Sequence, residues 1–310
     1  MNCFSDRIES INFVDLGCSG YLDTKWSNLL PLLAYTGFDP NQEECGRLNA
    51  QPHPYQSACY LAYAIAGETG MQTMYLTESI YCYSLLSPNS SWLKRFSFAN
   101  LFTVKGTQPV TCNTLDALVE TNDLKADIIK LDTQGLELPI LKAGEKLLKK
   151  AFCVETETGF VENYIGETTY AQIDEFMRSR GFLLFDFQYH RASRKNPLAD
   201  SGKHQPLWCE AVWLFDFIGQ NTVPNREQAF KSLAICQALR YYDYGFELAS
   251  YFKSLDLIDT EMLNFLENPE NWESARKPPS SKLAKILKLL PQSLNRRLLF
   301  ALEQLLQSSV

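Results

Sequence analysis

Histidine is scarce in this chain of 310 residues: His53, His190 and His204 are too dispersed to ligate a metal together. Its nine cysteines form no CxxC pair and no Cys/His ligand spacing, which excludes a zinc module or a redox dithiol. An odd number of unpatterned thiols is expected to stay free and buried, in a reducing compartment. No window approaches the roughly 18 uninterrupted apolar residues of a membrane span. The opening MNCFSDRIES has no basic stretch leading into an apolar one, so no secretory signal is expected. Basic residues are the minority sign, 29 Lys+Arg against 36 Asp+Glu for a net charge of −7, which argues against a general nucleic-acid partner. These absences leave a soluble, cytoplasmic globular protein as the expectation.

What remains is ordinary: 45% hydrophobic and 21% charged residues, enough for one large domain or a core domain with an appendage. Charge is split along the chain. Residues 276–310 hold seven basic side chains and one acid, 7 − 1 = +6, so the preceding 275 residues carry −7 − 6 = −13.

Up to about residue 215, short β-type runs alternate with helical patterns, which implies βαβ units and a largely parallel sheet. Strands are expected at Ile11–Asp15, Tyr35–Phe38, Tyr60–Ile65, Met74–Thr77 (paired with what precedes it), Asp127–Leu131 and Phe152–Glu155. Leu183–Phe187 and Trp208–Phe215 read as an antiparallel hairpin closing the sheet. Thr169 with Gln172 forms a capping box for a helix that stops at Gly181. Pro139 opens another helix, which Gly144 breaks. Trp26 to Leu33 is apolar enough for a helix, but Pro31 requires it to be short, kinked or restarted. Beyond residue 216 the pattern is helical only: Pro224-Asn225 with Gln228 opens one helix, and Thr260 caps another that runs to Asn268-Pro269. A boundary near residue 220 divides the expected domain 1–220 from a helical appendage, 221–310, with a linker-like break at Lys277–Ser281.

Asp15-Leu-Gly17-Cys18-Ser19-Gly20 ends the first strand in an acid and a glycine-rich turn, which brings backbone close to a ligand. Twenty-two residues beyond Gly17, Asp39-Pro40 ends the second strand, where an acid accepts hydrogen bonds from ribose hydroxyls. A dinucleotide would want GxGxxG, and there is no glycine at 19 or 22. An acid two residues ahead of the first glycine instead suits a cofactor with a cationic amino-acid moiety and no phosphate, S-adenosylmethionine, with Asp15 as the ammonium anchor.

Phe13–Gly20, Gly37–Pro40, Thr114–Leu118 and above all Asp127–Gly144 resemble the FkbM-type S-adenosylmethionine-dependent methyltransferases. Lys130, Asp132, Gly135 and Glu137 match that family's block, while Gln134 replaces its usual Glu. Ser84-Leu85 and Trp208–Phe215 fit two further segments. The resemblance covers about residues 11–215. It implies a Rossmann-like α/β methyltransferase sheet, mostly parallel with an antiparallel closing strand, and O-methylation of a sugar-related or other small-molecule acceptor. Candidate cofactor contacts are Asp15, Gly17, Cys18, Ser19, Gly20, Asp39, Pro40 and Asp132. Asp132 and Glu155, at strand ends, and His190, on the closing hairpin, are candidates for orienting the methyl donor or removing a proton. Glu137 and Glu157 are lesser candidates, and Arg191, Arg194 and Lys195 are read either as an anion contact or as a solvated loop. No metal is expected, and no Asn/Asp-Pro-Pro-Tyr/Phe tetrapeptide is present to hold a flipped base.

Lys282, Lys285 and Lys288 lie on one side of an amphipathic stretch and Leu283, Ile286, Leu287 and Leu290 on another. Packing on its own domain, self-association and contact with an anionic membrane are all open to it. With Gln134, this tail frames the alternative reading, a catalytically degenerate cofactor-binding domain that recruits a partner or a membrane.

Overall fold

The computed structural model describes residues 3–18 and 22–273; Ser19, Gly20 and the basic amphipathic tail lie outside the described residues. The main sheet is built from β1 (Ile11–Leu16), β2 (Leu33–Phe38), β3 (Ser57–Leu61), β7 (Ile128–Leu131), β8 (Cys153–Gly159), β9 (Phe182–Ala192) and β10 (Gln205–Phe215). Their spatial order is β3-β2-β1-β7-β8-β10-β9. The five strands from β3 to β8 run parallel, and β10 runs antiparallel to both β8 and β9. This is the Rossmann-like sheet with an antiparallel closing strand. Chain order reverses at β1, so β1 and β7 flank the switch point where open α/β sheets leave a crevice beyond their carboxyl ends. A smaller sheet, β4 (Ala64–Ile65), β5 (Gly70–Thr77) and β6 (Val104–Asn113), has the order β4-β6-β5.

Alternation along each strand sends side chains to two cores. On one face, Phe13, Tyr35, Ile128, Cys153 and Val212 pack with Trp26 and with Phe230, Leu233, Phe252 and Trp272. Those last four come from α7 (Arg226–Leu239), α8 (Tyr242–Ser254) and α10 (Pro269–Trp272), which follow one another with α9 (Thr260–Leu266) between. On the other face, Val14, Leu16, Ile129, Leu131, Val154 and Trp213 meet α3 (Leu115–Asn122), α4 (Glu137–Lys142), α5 (Glu145–Leu148) and α6 (Tyr170–Ser179). Two short helices, α1 (Gln42–Asn49) and α2 (Ser90–Leu93), complete the set among the described residues.

Several local expectations change. The Tyr60–Ile65 run divides between β3 and β4, in different sheets. Met74–Thr77 lies in β5, whose partner is β6, thirty residues later, and not the segment before it. The apolar stretch around Pro31 forms two 3-10 turns, Thr24–Trp26 and Leu30–Leu32, because a proline that early leaves no room for an α-helical ladder. Asp259, not Thr260, caps α9, its carboxylate accepting the Met262 N–H at 2.7 Å. The capping boxes at Thr169/Gln172 and Asn225/Gln228 are both formed, and Gly144 separates α4 from α5.

No packing break falls near residue 220: Asn2–Trp272 forms one compact unit. α7 is tied to the sheet by charge as well as by apolar contact. Lys231 Nζ donates to Asp127 Oδ2 at 3.0 Å, and the same oxygen accepts the Asn12 N–H at 2.7 Å, so one carboxylate joins α7 to the start of β7 and to β1. Removing one partner of a buried pair strands the other charge, at a cost of about 3–5 kcal/mol. Lys231→Met is therefore expected to lower the unfolding free energy by about 3 kcal/mol in urea denaturation; a loss below ~1 kcal/mol would mean that α7 is held by apolar packing alone.

Candidate active site

The site lies along the carboxyl edge of the parallel strands. Gly17 has φ +83°, and a Cβ there would stand 2.2 Å from the carbonyl oxygen of Asp132, so only glycine lets this turn close against the end of β7. The N–H groups of Gly17 and Cys18 both donate to the Phe38 carbonyl, and that of Asp132 donates to the Leu16 carbonyl. The ends of β1, β2 and β7 are thereby locked together. Cys18 packs onto Gly37, where a Cβ would lie 2.8 Å from its sulfur. Burial, then the charges of Asp15 and Asp39, push the Cys18 thiol far above its ordinary range, so it is a packing group and not a nucleophile.

Asp15, Lys130 and Glu155 stand side by side in register on β1, β7 and β8. Lys130 Nζ donates to Asp15 Oδ1 at 2.9 Å, and the Tyr35 hydroxyl donates to Asp15 Oδ2 at 2.8 Å. Burial disfavours the Lys130 ammonium, but the carboxylates of Asp15, Asp132 and Glu155 outweigh it and hold its pKa above the ordinary value. Each oxygen of Asp15 thus accepts one hydrogen bond from inside the protein, which fixes the carboxylate expected as the ammonium anchor. Glu155 is engaged as well: Lys25 Nζ lies 2.8 Å from Oε1, and the Trp26 indole N–H donates to Oε2 at 3.0 Å. It fastens the 3-10 turn after β1 to β8 and is not placed as a proton acceptor.

Asp39 sits just past β2 with Oδ1 accepting the Asn41 N–H at 2.8 Å, a turn that orients its carboxylate and begins with Pro40. Asp132 lies immediately beyond β7. Gln134 Nε2 donates to Asp132 Oδ1 at 2.8 Å, and Gln134 Oε1 accepts the Tyr164 hydroxyl at 2.9 Å. Gln134 adopts a left-handed backbone, φ +55°, and its carbonyl accepts the Ser84 hydroxyl at 2.8 Å. The amide does what a glutamate could not, donating to one neighbour while accepting from another. Among the described residues the second oxygen of Asp132 makes no hydrogen bond.

Two buried carboxyls brace these loops. Glu137 Oε1 accepts from the Thr133 N–H, the Thr133 hydroxyl and the Gly135 N–H; its Oε2 is buried without a partner among the described residues. Glu167 Oε2 accepts from the N–H groups of Asn163 and Tyr164. Glu157 and Glu210 face each other on β8 and β10. His190 lies within β9 and not in a connecting loop; it is level with Gly159, four residues past Glu155 and two strands away. Its ring stacks on Trp208 at 5.2 Å, with Nε2 3.4 Å from Glu210 Oε1. The edge therefore gathers Asp15, Gly17, Cys18, Asp39, Pro40, Asp132 and Glu155, and leaves His190 aside. Lys25, Trp26, Tyr35 and Tyr164 complete it, and no local pattern marks them, since each acts through a partner distant in sequence. Among the described residues no group of three or more His, Cys, Asp or Glu side chains could hold a metal ion, and no helix is long and apolar enough to cross a membrane. All nine cysteines are free thiols, with Cys59 exposed and Cys3 half-buried.

A family model described as the methyltransferase FkbM domain matches residues 22–184. No curated protein matches the chain. Among solved structures, a SAM-dependent methyltransferase from Anabaena variabilis is 12% identical, with 66% of this chain and 77% of that chain covered and a TM-score of 0.30, too loose a likeness to carry an argument.

Burial raises the pKa of both Glu137 and Glu167 to about 7, from 4.5 for an ordinary glutamate. Between those values the folded state holds protons that the unfolded chain has released, so stability falls as pH rises from about 4.5 to about 7 and levels off above. Glu137→Gln keeps the Oε1 acceptor and removes the ionisation. It is expected to lose ~2 kcal/mol less unfolding free energy than the wild type between pH 5 and pH 8, by urea denaturation at each pH. Parallel profiles for the two proteins would show that Glu137 is ionised in the fold throughout.

Proposed function

This chain belongs to the FkbM methyltransferase domain family, and on that premise we propose that it transfers the methyl group of S-adenosylmethionine to a hydroxyl of a sugar-related or other small-molecule acceptor. The observation that carries the reading is Asp132: it stands beyond the carboxyl end of β7, at the switch point, with one oxygen fixed by Gln134 and the other making no hydrogen bond among the described residues.

The edge suits a cationic, nucleoside-bearing cofactor. Asp15, Asp39, Asp132 and Glu155 stand against Lys25 and Lys130, 2 − 4 = −2. Gly17 lets the turn after β1 close against the end of β7, where a Cβ would meet the Asp132 carbonyl. Asp39 is the ribose acceptor of this arrangement. When bound, S-adenosylmethionine supplies an electrophilic methyl group on a sulfonium. Asp132 is the group that takes the acceptor's hydroxyl proton, with Gln134 and Tyr164 holding its plane. Lys130 fixes Asp15 and thereby the end of β1, while Glu155 keeps Lys25 and Trp26 against the sheet. In such a displacement the protein contributes mainly position and the removal of one proton. Gln134, the departure that favours a degenerate domain, is accounted for here by its two contacts.

Isothermal titration calorimetry with S-adenosylhomocysteine tests the reading. Wild-type protein is expected to bind it at micromolar concentration, and Asp39→Ala to weaken binding tenfold or more, about 1.4 kcal/mol. Absence of binding by folded wild-type protein would sink the proposal.

A further inference from the structure

The β9–β10 connection carries a basic pocket on an acidic body. Residues 191–205 hold Arg191, Arg194, Lys195 and Lys203 against Asp200, 4 − 1 = +3, where residues 1–275 as a whole sum to −13. Here a cavity of about 330 Å³ is lined by Arg194, Asn196, Ser201, Lys203 and His204, among others.

The cavity stands on a fixed platform. Phe96 and Arg194 form an antiparallel bridge, and the Lys195 N–H donates to the Arg95 carbonyl at 2.9 Å. The Arg194 guanidinium lies 4.3 Å from the centre of the Phe96 ring and 5.1 Å from that of Trp92, and its Nη2 donates to Gln205 Oε1. Phe96 is itself buried with Ala192 and Leu207. A guanidinium stacked in this way is not free to swing out and find an acid. Among the described residues none of the four cations forms an ion pair.

Two nitrogens of the pocket wall have no hydrogen-bond partner among the described residues while closed off from solvent, Arg194 Nη1 and His204 Nε2. An unpaired buried donor costs roughly 1–3 kcal/mol, more when it is charged. Desolvation and the like charge of Arg95 both pull the Arg194 pKa down, so an added negative charge is favourable there. A held guanidinium with an unused N–H, beside a lysine, an imidazole, a hydroxyl and an amide, is a donor set for an oxyanion. Along β10 the pocket begins at Gln205, seven residues from the partner of Glu155, about 23 Å at ~3.3 Å per residue. Its lining shares no residue with the carboxyl edge.

We infer that this pocket binds an oxyanion-bearing ligand, one whose phosphate, sulfate or carboxylate is received by Arg194, Lys203 and His204. The inference does not depend on the methyltransferase reading. Inorganic phosphate and glucose 6-phosphate are titrated into the full-length protein by calorimetry, with glucose as the neutral control. At least one anion is expected to bind saturably and glucose not at all, with Lys203→Ala and His204→Gln each weakening the anion about tenfold. Affinity for S-adenosylhomocysteine should stay within about twofold in both variants, since neither residue lies on the methyl-transfer edge. Equal affinity for the two anions assigns the site to a free oxyanion, and tighter binding of glucose 6-phosphate to an acidic sugar; either supports the inference. Non-saturable binding of both anions, or saturable binding unchanged by Lys203→Ala and His204→Gln, overturns it. Arg194→Gln adds a third arm, but it removes a stacked side chain, so the two loop variants decide the matter if it fails to fold.

Discussion

The ion pair of Lys130 with Asp15 is the contact on which the carboxyl edge depends. Two charges taken into a buried setting gain stability only if their geometry is good and their remaining bonding capacity is met. Here Asp15 also accepts from Tyr35, whose ring stacks on Phe13 and on Tyr55, and Lys130 lies in register between Asp15 and Glu155. Glu155 in turn holds Lys25 and Trp26. A chain of alternating charge thus crosses β1, β7 and β8 and ends in the turn that follows β1. Loss of any member would leave a buried charge uncompensated, so the row fixes the relative height of these strand ends. It is this height that lets the Asp132 carbonyl abut Gly17.

The same logic, with backbone amides in place of ammonium groups, organises the loops beyond the strands. Glu137 gathers the amides of residues 133 and 135, and Glu167 gathers those of 163 and 164. The side chains of Gln134 and Tyr164, one from each braced loop, then meet over Asp132. Two buried acids thereby hold position, and among the described residues the partly exposed Asp132 keeps an oxygen with no hydrogen bond at the carboxyl edge itself. Chemistry at this edge is better matched to that arrangement than to an acid clamped by lysine, such as Glu155, or to a histidine stacked on tryptophan, such as His190.

Elements bounded by their own punctuation were legible in the sequence. The runs that became β1, β2, β7, β8 and the β9–β10 hairpin are compact and apolar, and α6 and α7 announce themselves by capping boxes. β6 was not legible, because Val104–Asn113 is largely exposed and polar, contains Pro109, and owes its extension to pairing with β5. α8 contains Gly245 where its sequence would sooner have a helix former; a Cβ there would lie 2.5 Å from the Trp272 ring, so a tertiary contact overrides local propensity. In the site, the residues of the glycine turn and the Asp132 block were visible as motifs. Their partners were not, because Lys25 reaches Glu155 across 130 positions and Lys130 reaches Asp15 across 115, and only strand order creates those contacts.

Charge is distributed over this sheet with a direction. Acids collect at the carboxyl ends of the parallel strands, where a cationic cofactor is complementary, and bases collect at the tip of the one antiparallel hairpin. β10 is the strand that makes both possible: it runs against β8, so Glu210 stands beside Glu157 near the acidic edge while Gln205 reaches away to the basic pocket. A parallel strand in that place would have needed a long crossover and could not have carried a tip beyond the edge. The closing strand does more than finish the sheet; paired with β8 and β9, it carries an acidic stretch at Glu210 and a basic one beyond Gln205 on a single hydrogen-bonded element.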